Sequence, residues 1–162
     1  MSGGSEMERE IIFRGKRIDQ REWSEGSLLS INGNSYIYKG SFGDLEDIDF
    51  GYGFQIVSNE TLGQYTCLKD CSGNRIFEGD ILEFEDLGEE GYEYKEGFDF
   101  INTASVVFNN GRFELENFWS GNSGVLEEMN NDHEEFISIF AYSKIIGNIH
   151  DNPELLEVQG WK

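Results

Sequence analysis

The sequence predicts an all-β protein in which an N-terminal β-meander is packed with a small β-barrel and a short helix follows near the C-terminus. Short apolar or aromatic stretches recur along the chain, separated by turns that contain glycine and asparagine. The 162 residues include 20 glycines and a single proline, and strands do not alternate with long helical patterns as they do in parallel-sheet proteins. The length matches about one domain, and the 38% of hydrophobic residues suffices for a core.

The first region, residues 7–60, is the expected meander, and the small, polar residues 1–6 before it are expected to be disordered. Gly15 and Gly26 interrupt its apolar stretches. The Asn32-Gly33 pair suits a two-residue hairpin turn, because both central positions of such a turn adopt positive φ. The expected strands are residues 10–17, 22–30, 34–41 and 54–57.

The second region, residues 61–157, is the expected barrel, with residues 158–162 as a tail. Asn109-Asn110-Gly111, set between apolar stretches, is the strongest hairpin signal in the chain. Residues 79–115 are similar to small SH3-like barrels, with a Gly-Asp-apolar strand that leads into a long loop and then this tight hairpin. Residues 85–99 are expected to form an exposed acidic loop, since like charges and backbone entropy both oppose packing there.

Two segments near the C-terminus carry helical signals. Residues 126–142 mix helix-forming acidic residues with β-branched and aromatic ones, so both helix and strand stay open for this segment. Asn152-Pro153-Glu154 combines an N-cap, a proline at the first helical position and an acidic first turn. This combination predicts the short C-terminal helix.

The charge balance disfavours nucleic acids and membranes as partners. Twelve basic residues against 32 acidic ones give a formal charge of -20, and a field of that sign repels phosphate backbones and anionic lipids. No apolar run reaches the ~18 residues of a transmembrane helix. We therefore expect a cytoplasmic protein with its two cysteines reduced. Arg14, Lys16 and Arg17 are interpreted as solvated strand ends rather than an anion site.

No metal or other cofactor is expected. Cys67 and Cys71 flank a turn, while His133 and His150 lie far apart in the sequence, unlike the paired short spacings of zinc sites. The acidic cluster at residues 44–49 departs from the spacing of a calcium-binding EF-hand loop and is interpreted as a solvated loop.

The chain is not expected to be an enzyme, because it carries no recognisable catalytic motif. It lacks a Gly-x-Ser-x-Gly nucleophile turn and a Gly-x-x-x-x-Gly-Lys phosphate-binding loop. Carboxylate pairs such as Glu78 with Asp80 are too common at this composition to identify an acid-base site.

Several short strings in the sequence are specific in combination. They are Arg9–Gly15, Gly63–Thr66, Leu68–Asp70, Glu78–Ile81 and Ile145–Leu156. With these strings the chain closely resembles the YopX family of phage and prophage proteins over nearly all of residues 7–157. The resemblance implies a β-rich fold with an SH3-type barrel part, and it implies no biochemical activity. Cys67 and Cys71 stand where that family typically has glycine or a polar residue, so it implies no thiol or metal role.

The residue types in these strings favour turn chemistry over a shared binding surface. Asp70 precedes the turn residues Ser72-Gly73-Asn74, and Gly79 suits a backbone conformation that other residues rarely adopt. Asn148 and Asn152 are expected to bind backbone groups at a strand end and a helix start.

The expected function is that of a non-enzymatic, acidic protein-binding module of phage type. Its charge would steer it to a basic surface on a host or phage protein, and the interaction surface is expected to include Glu89, Glu90, Glu93, Glu96 and Trp119. The alternative is a ligand-binding protein or an enzyme with a cleft between the two β regions. Unpaired strand edges leave self-association open, whereas the charge opposes it.

Overall fold

The computed structural model describes four stretches of the chain: residues 9–39, 53–85, 101–117 and 131–156. Within them the chain forms two antiparallel β-sheets, which confirms the all-β class. The chain divides into two compact units, Met1–Cys67 and Leu68–Lys162. The sequence indicated a boundary at residue 60, a few residues earlier. The expected disordered tip, the tail and residues 86–99 of the acidic loop lie outside the described residues.

Strands dominate both units. The early strands are β1 (Phe13–Lys16), β2 (Trp23–Ile31), β3 (Asn34–Tyr38), β4 (Phe54–Val57) and β5 (Gly63–Lys69). The later strands are β6 (Arg75–Phe77), β7 (Asp80–Glu85), β8 (Ile101–Asn109), β9 (Arg112–Asn117) and β10 (Lys144–Asn148). The helices are the 3-10 helix η1 (Asn59–Thr61), the α-helix α1 (His133–Tyr142) and the 3-10 helix η2 (Pro153–Leu156).

The first sheet has the strand order β4-β3-β2-β1-β5-β6 and begins as the predicted meander. The β2–β3 hairpin closes at Asn32-Gly33, where φ is 51° and 79° and Ile31 pairs with Asn34. Positive φ at both positions defines the type I′ turn that the sequence indicated.

The early strands curl back on themselves. Arg17, directly after β1, forms an antiparallel bridge with Val57 of β4, and the Ser58 amide donates to the Lys16 carbonyl at 2.8 Å. The curl needs a glycine at position 15, because a Cβ there would lie 2.6 Å from Val57 Cγ2. Val57 and Ile37, both of the first unit, are buried.

The second sheet has the strand order β10-β7-β8-β9. In the stretches that the structure covers it stays open, with β10 and β9 at its edges, so the strands assigned to the SH3-like barrel form a sheet rather than a closed barrel there. The β8–β9 hairpin turns at Asn110-Gly111, as predicted. The core of the second unit contains the buried residues Ile76, Leu82, Phe84, Ala104, Val106, Leu115, Ile139 and Phe140.

For segment 126–142 the sequence left helix and strand open, and the described part of it forms helix α1. Asp132 begins the helix, because its side-chain Oδ1 accepts a hydrogen bond from the Glu134 amide at 3.1 Å. Phe136, Ile139 and Phe140 then follow at helical spacing: Ile139 and Phe140 belong to the core of the second unit, and Phe136 packs against it. The predicted C-terminal helix is present as η2. In the described parts of the chain, no helix is both long and apolar enough to cross a membrane.

Candidate functional site

The turn after β5 is organised by one buried carboxylate. Asp70 Oδ1 accepts hydrogen bonds from the backbone amides of Ser72 and Asn74, at 3.0 and 2.8 Å. Asp70 Oδ2 accepts from Asn74 Nδ2 and from the backbone amide of Ile145, both at 3.3 Å. The sequence predicted turn chemistry for Asp70, and the bond to Ile145 ties that turn to β10 as well.

Asp70 is held in its charged form by these donors. Its side chain is only 5% exposed, and burial by itself raises the pKa of a carboxyl group. The hydrogen bonds from Asn74, Ile145 and Ser72 outweigh that effect, so the pKa of Asp70 lies below its ordinary value. A carboxylate with a lowered pKa that is occupied by four donors serves structure better than proton transfer.

Ser143 completes the junction between α1 and β10, and the sequence analysis missed it. It is fully buried; its Oγ donates to the Phe140 carbonyl at 2.8 Å, and its own carbonyl accepts from the Cys71 amide at 2.8 Å. The turn after β5 is therefore bound to this junction twice, through Cys71 and through Asp70. No local pattern could reveal this, because the partners lie about 70 residues apart in the chain.

The Gly79-Asp80 turn is a second point where distant strings of the sequence meet. The Phe77 amide donates to Asp80 Oδ2 at 2.7 Å, and both residues are buried. Gly79 has a φ of 92°, which agrees with the conformation expected for it. Its amide donates to Val106 in β8, and its carbonyl accepts from the Ile149 amide at 2.9 Å.

The segment after β10 is held by its two asparagines. Asn148 Oδ1 accepts from the amides of His150 and Asp151, at 3.0 and 2.9 Å. Asn152 Oδ1 accepts from the Asn148 amide at 3.3 Å. Gly147 leaves room for this contact, since a Cβ at that position would lie 2.5 Å from Asn152 Oδ1. Both asparagines therefore bind backbone groups, as the sequence indicated.

Two basic residues of the first unit, Arg14 and Arg17, contact side chains of that unit. The guanidinium of Arg14 lies 4.7 Å from the centroid of the Trp23 ring, and Arg14 is buried. Arg17 donates to both carboxylate oxygens of Asp19, at 3.0 and 2.8 Å, and these hydrogen bonds lower the pKa of Asp19. The interpretation of Arg14 as a solvated strand end is therefore wrong, because its side chain is buried against Trp23. The contacts of Arg14 and Arg17 are with side chains of their own unit, which favours a structural role for both.

The two cysteines are exposed free thiols. Cys67 Sγ lies 3.4 Å from the Glu10 carbonyl oxygen, and Cys71 Sγ lies 3.9 Å from Ser72 Oγ. Across the described stretches, no three His, Cys, Asp or Glu side chains are placed to share a metal ion. The acidic cluster at residues 44–49 lies outside those stretches.

The predicted interaction surface also falls outside the described residues. This holds for Glu89, Glu90, Glu93, Glu96 and Trp119. All five belong to the second unit, which has six basic and 21 acidic residues, a formal charge of -15. The first unit has six basic and 11 acidic residues, a formal charge of -5. Most of the negative charge is therefore concentrated on the second unit.

The described residues thus define a class: an all-β protein of two units whose characteristic polar turn residues are bound to backbone groups. The family model described as YopX protein matches residues 12–157, and the chain belongs to the YopX family. Among solved structures it is similar to protein EF1440 from Enterococcus faecalis, with 24% sequence identity and a TM-score of 0.47. That similarity covers 91% of this chain and 99% of the other. No curated protein matches the chain.

Proposed function

We propose that this member of the YopX family is a non-enzymatic, phage-type accessory protein that binds a basic protein surface through its second unit. The observation that carries the proposal is the concentration of charge: -15 of the formal -20 lies on Leu68–Lys162. A surface of one sign accelerates association with a surface of the opposite sign and rejects like-charged partners. Nucleic acids and anionic membranes are therefore disfavoured as direct partners.

Exposed acidic residues of the described part support this assignment. Glu116 lies on the edge strand β9, Glu134 in the first turn of α1 and Glu154 in η2, and all three are exposed. The polar residues that carry the family resemblance, Asp70 and Asn148 among them, are instead occupied by backbone hydrogen bonds. In the described part of this unit, these exposed charges are what it offers a partner.

The compartment proposed for this protein is the bacterial cytoplasm, and its cysteines support that proposal. Two exposed cysteines remain free thiols, which suits the reducing cytoplasm of a bacterial host. The partner is a host or phage protein of that compartment.

The test is affinity capture of the tagged full chain from host lysate at physiological and at high salt. One variant neutralises the acidic loop with Glu→Gln changes at Glu89, Glu90, Glu93 and Glu96. A matched control removes the same charge from exposed positions of the first unit, with Glu→Gln changes at Glu10, Glu22, Glu25 and Glu60. We expect a partner that the control retains, that the acidic-loop variant loses, and that high salt releases.

Two results would contradict the proposal. One is capture that survives both high salt and the acidic-loop variant, because binding would then not depend on charge. The other is equal loss in the two variants, because the second unit would then have no special role. A Trp119→Ala variant tests the aromatic part of the surface, and we expect it to weaken capture at physiological salt.

A further inference from the structure

Each of the two units has an Asn-Gly pair at the turn of a β-hairpin. Asn32-Gly33 joins β2 to β3, and Asn110-Gly111 joins β8 to β9. The φ angles are 51° and 79° in the first pair and 53° and 79° in the second. All four residues are exposed, so both pairs are solvated type I′ turns of nearly the same backbone conformation.

An asparagine that precedes glycine has a reaction open to it that needs only water. The glycine backbone nitrogen gives up its proton and bonds to the asparagine Cγ, the Cγ–Nδ2 bond breaks, and ammonia leaves. Water then opens the resulting succinimide at either carbonyl, which yields aspartate or isoaspartate without oxidation or reduction. Both turns are open to solvent around the glycine, since a Cβ built on Gly33 or Gly111 would meet no atom within 4 Å.

The two turns differ in the contact made by the glycine carbonyl. Beside the second turn Arg112 Nη2 donates to Asn131 Oδ1 at 3.2 Å, but this bond holds a side chain that follows the turn and leaves the backbone of Gly111 unbound by it. Asn59 Nδ2 donates a hydrogen bond to the Gly33 carbonyl at 2.8 Å. Asn59 begins η1, and the preceding Ser58 amide is itself bonded to the Lys16 carbonyl, so this donor is anchored. Among the described residues no side chain binds Gly111 in this way. Ring closure requires the turn to open locally, and a bond that holds the turn closed lowers the population of the open form.

We propose that Asn110 is a site of spontaneous deamidation and isomerisation, and that Asn59 protects Asn32 from the same reaction. The product at position 110 has one more negative charge on a unit that already has a formal charge of -15. Isoaspartate also adds a methylene to the backbone of a two-residue loop. Because this loop sets the pairing of Asn109 with Arg112, the modification disturbs the register of β9.

The test incubates the full chain at mildly alkaline pH and follows each asparagine by peptide mass spectrometry, with isoaspartate resolved by chromatography. We expect Asn110 to convert faster than Asn32, and Asn109 to stay intact because no glycine follows it. In an Asn59→Ala variant we expect the rate at Asn32 to rise about fivefold, the effect of one ordinary hydrogen bond, with Asn110 unchanged as the internal control.

If Asn32 converts at the same rate as Asn110 in the protein without substitutions, the proposal is overturned. A failure to convert Asn110 ahead of Asn109 would do the same. If Asn59→Ala accelerates both turns equally, or neither, Asn59 is not the protecting group.

Discussion

Replacement of Asp70 tests whether one buried carboxylate holds the second unit together. Asp70→Ala removes the acceptor of four hydrogen bonds, three from backbone amides and one from Asn74 Nδ2. A hydrogen bond to a charged group contributes about 1.5–3 kcal/mol, and bonds that share an acceptor are not additive, so we expect a loss of about 3–4 kcal/mol in the free energy of unfolding. Asp70→Asn keeps the Oδ1 contacts and should lose about 2 kcal/mol.

Urea denaturation, monitored by circular dichroism, measures the loss in the free energy of unfolding. Amide hydrogen exchange at Ile145 shows whether the loss arises at the bond to Asp70. Glu116→Ala, which removes an exposed carboxylate from β9, is the matched control and should change the stability by about 0.5 kcal/mol or less. The reasoning is refuted if Asp70→Ala behaves like Glu116→Ala, or if exchange at Ile145 stays as slow as in the unmodified protein.

The pH dependence of the free energy of unfolding is a second test of the role of Asp70, and its direction can be stated in advance. Because the pKa of Asp70 is lowered in the folded state, the unfolded state binds more protons on this group. Its contribution to stability is therefore complete above the unfolded value of about 3.9 and is lost as the pH falls through the lower folded value. Asp70→Asn should flatten this acid limb of the stability curve.

Four further predictions concern packing, turns and charge. Gly26→Ala would place a methyl group on the Tyr38 carbonyl and should cost about 2–3 kcal/mol in urea denaturation. Asn148→Ala leaves two backbone amides without their acceptor and should cost about 1–2 kcal/mol by the same assay. Phe140→Ala opens a cavity in the second core and should cost about 3–5 kcal/mol, enough to lower the melting temperature in calorimetry by many degrees. Added salt should raise the melting temperature, since it screens the repulsion among the acidic residues, and a fall would contradict this account.

The hairpins were predictable because their signal is local. Asn32-Gly33 and Asn110-Gly111 each supply two residues that tolerate positive φ, and apolar residues on either side set the strands. Helix α1 was not predictable with the same certainty. Phe136, Ile139 and Phe140 have helical spacing, but aromatic and β-branched residues also suit strands, and contact with the core decided between the two.

The long-range part of the candidate site could not be inferred from spacing. The sequence indicated that Asp70 belongs to a turn, yet nothing local to it indicates Ile145 as a donor or Ser143 as the anchor of Cys71. The first sheet shows the same limit. Gly15 reads as a break in an apolar stretch, whereas in the structure it makes space for Val57 where the strands curl back.

Under the proposed function, fold and partner recognition depend on different residues of the second unit. Asp70, Gly79 and Asn148 bind backbone groups from distant segments, so a change at any of them alters the fold before it can alter a binding surface. The exposed acidic residues have the opposite character, because they repel one another and contribute little to packing. Under the proposed function, the family's turn residues therefore specify how this chain folds, and its exposed acidic residues specify what it binds.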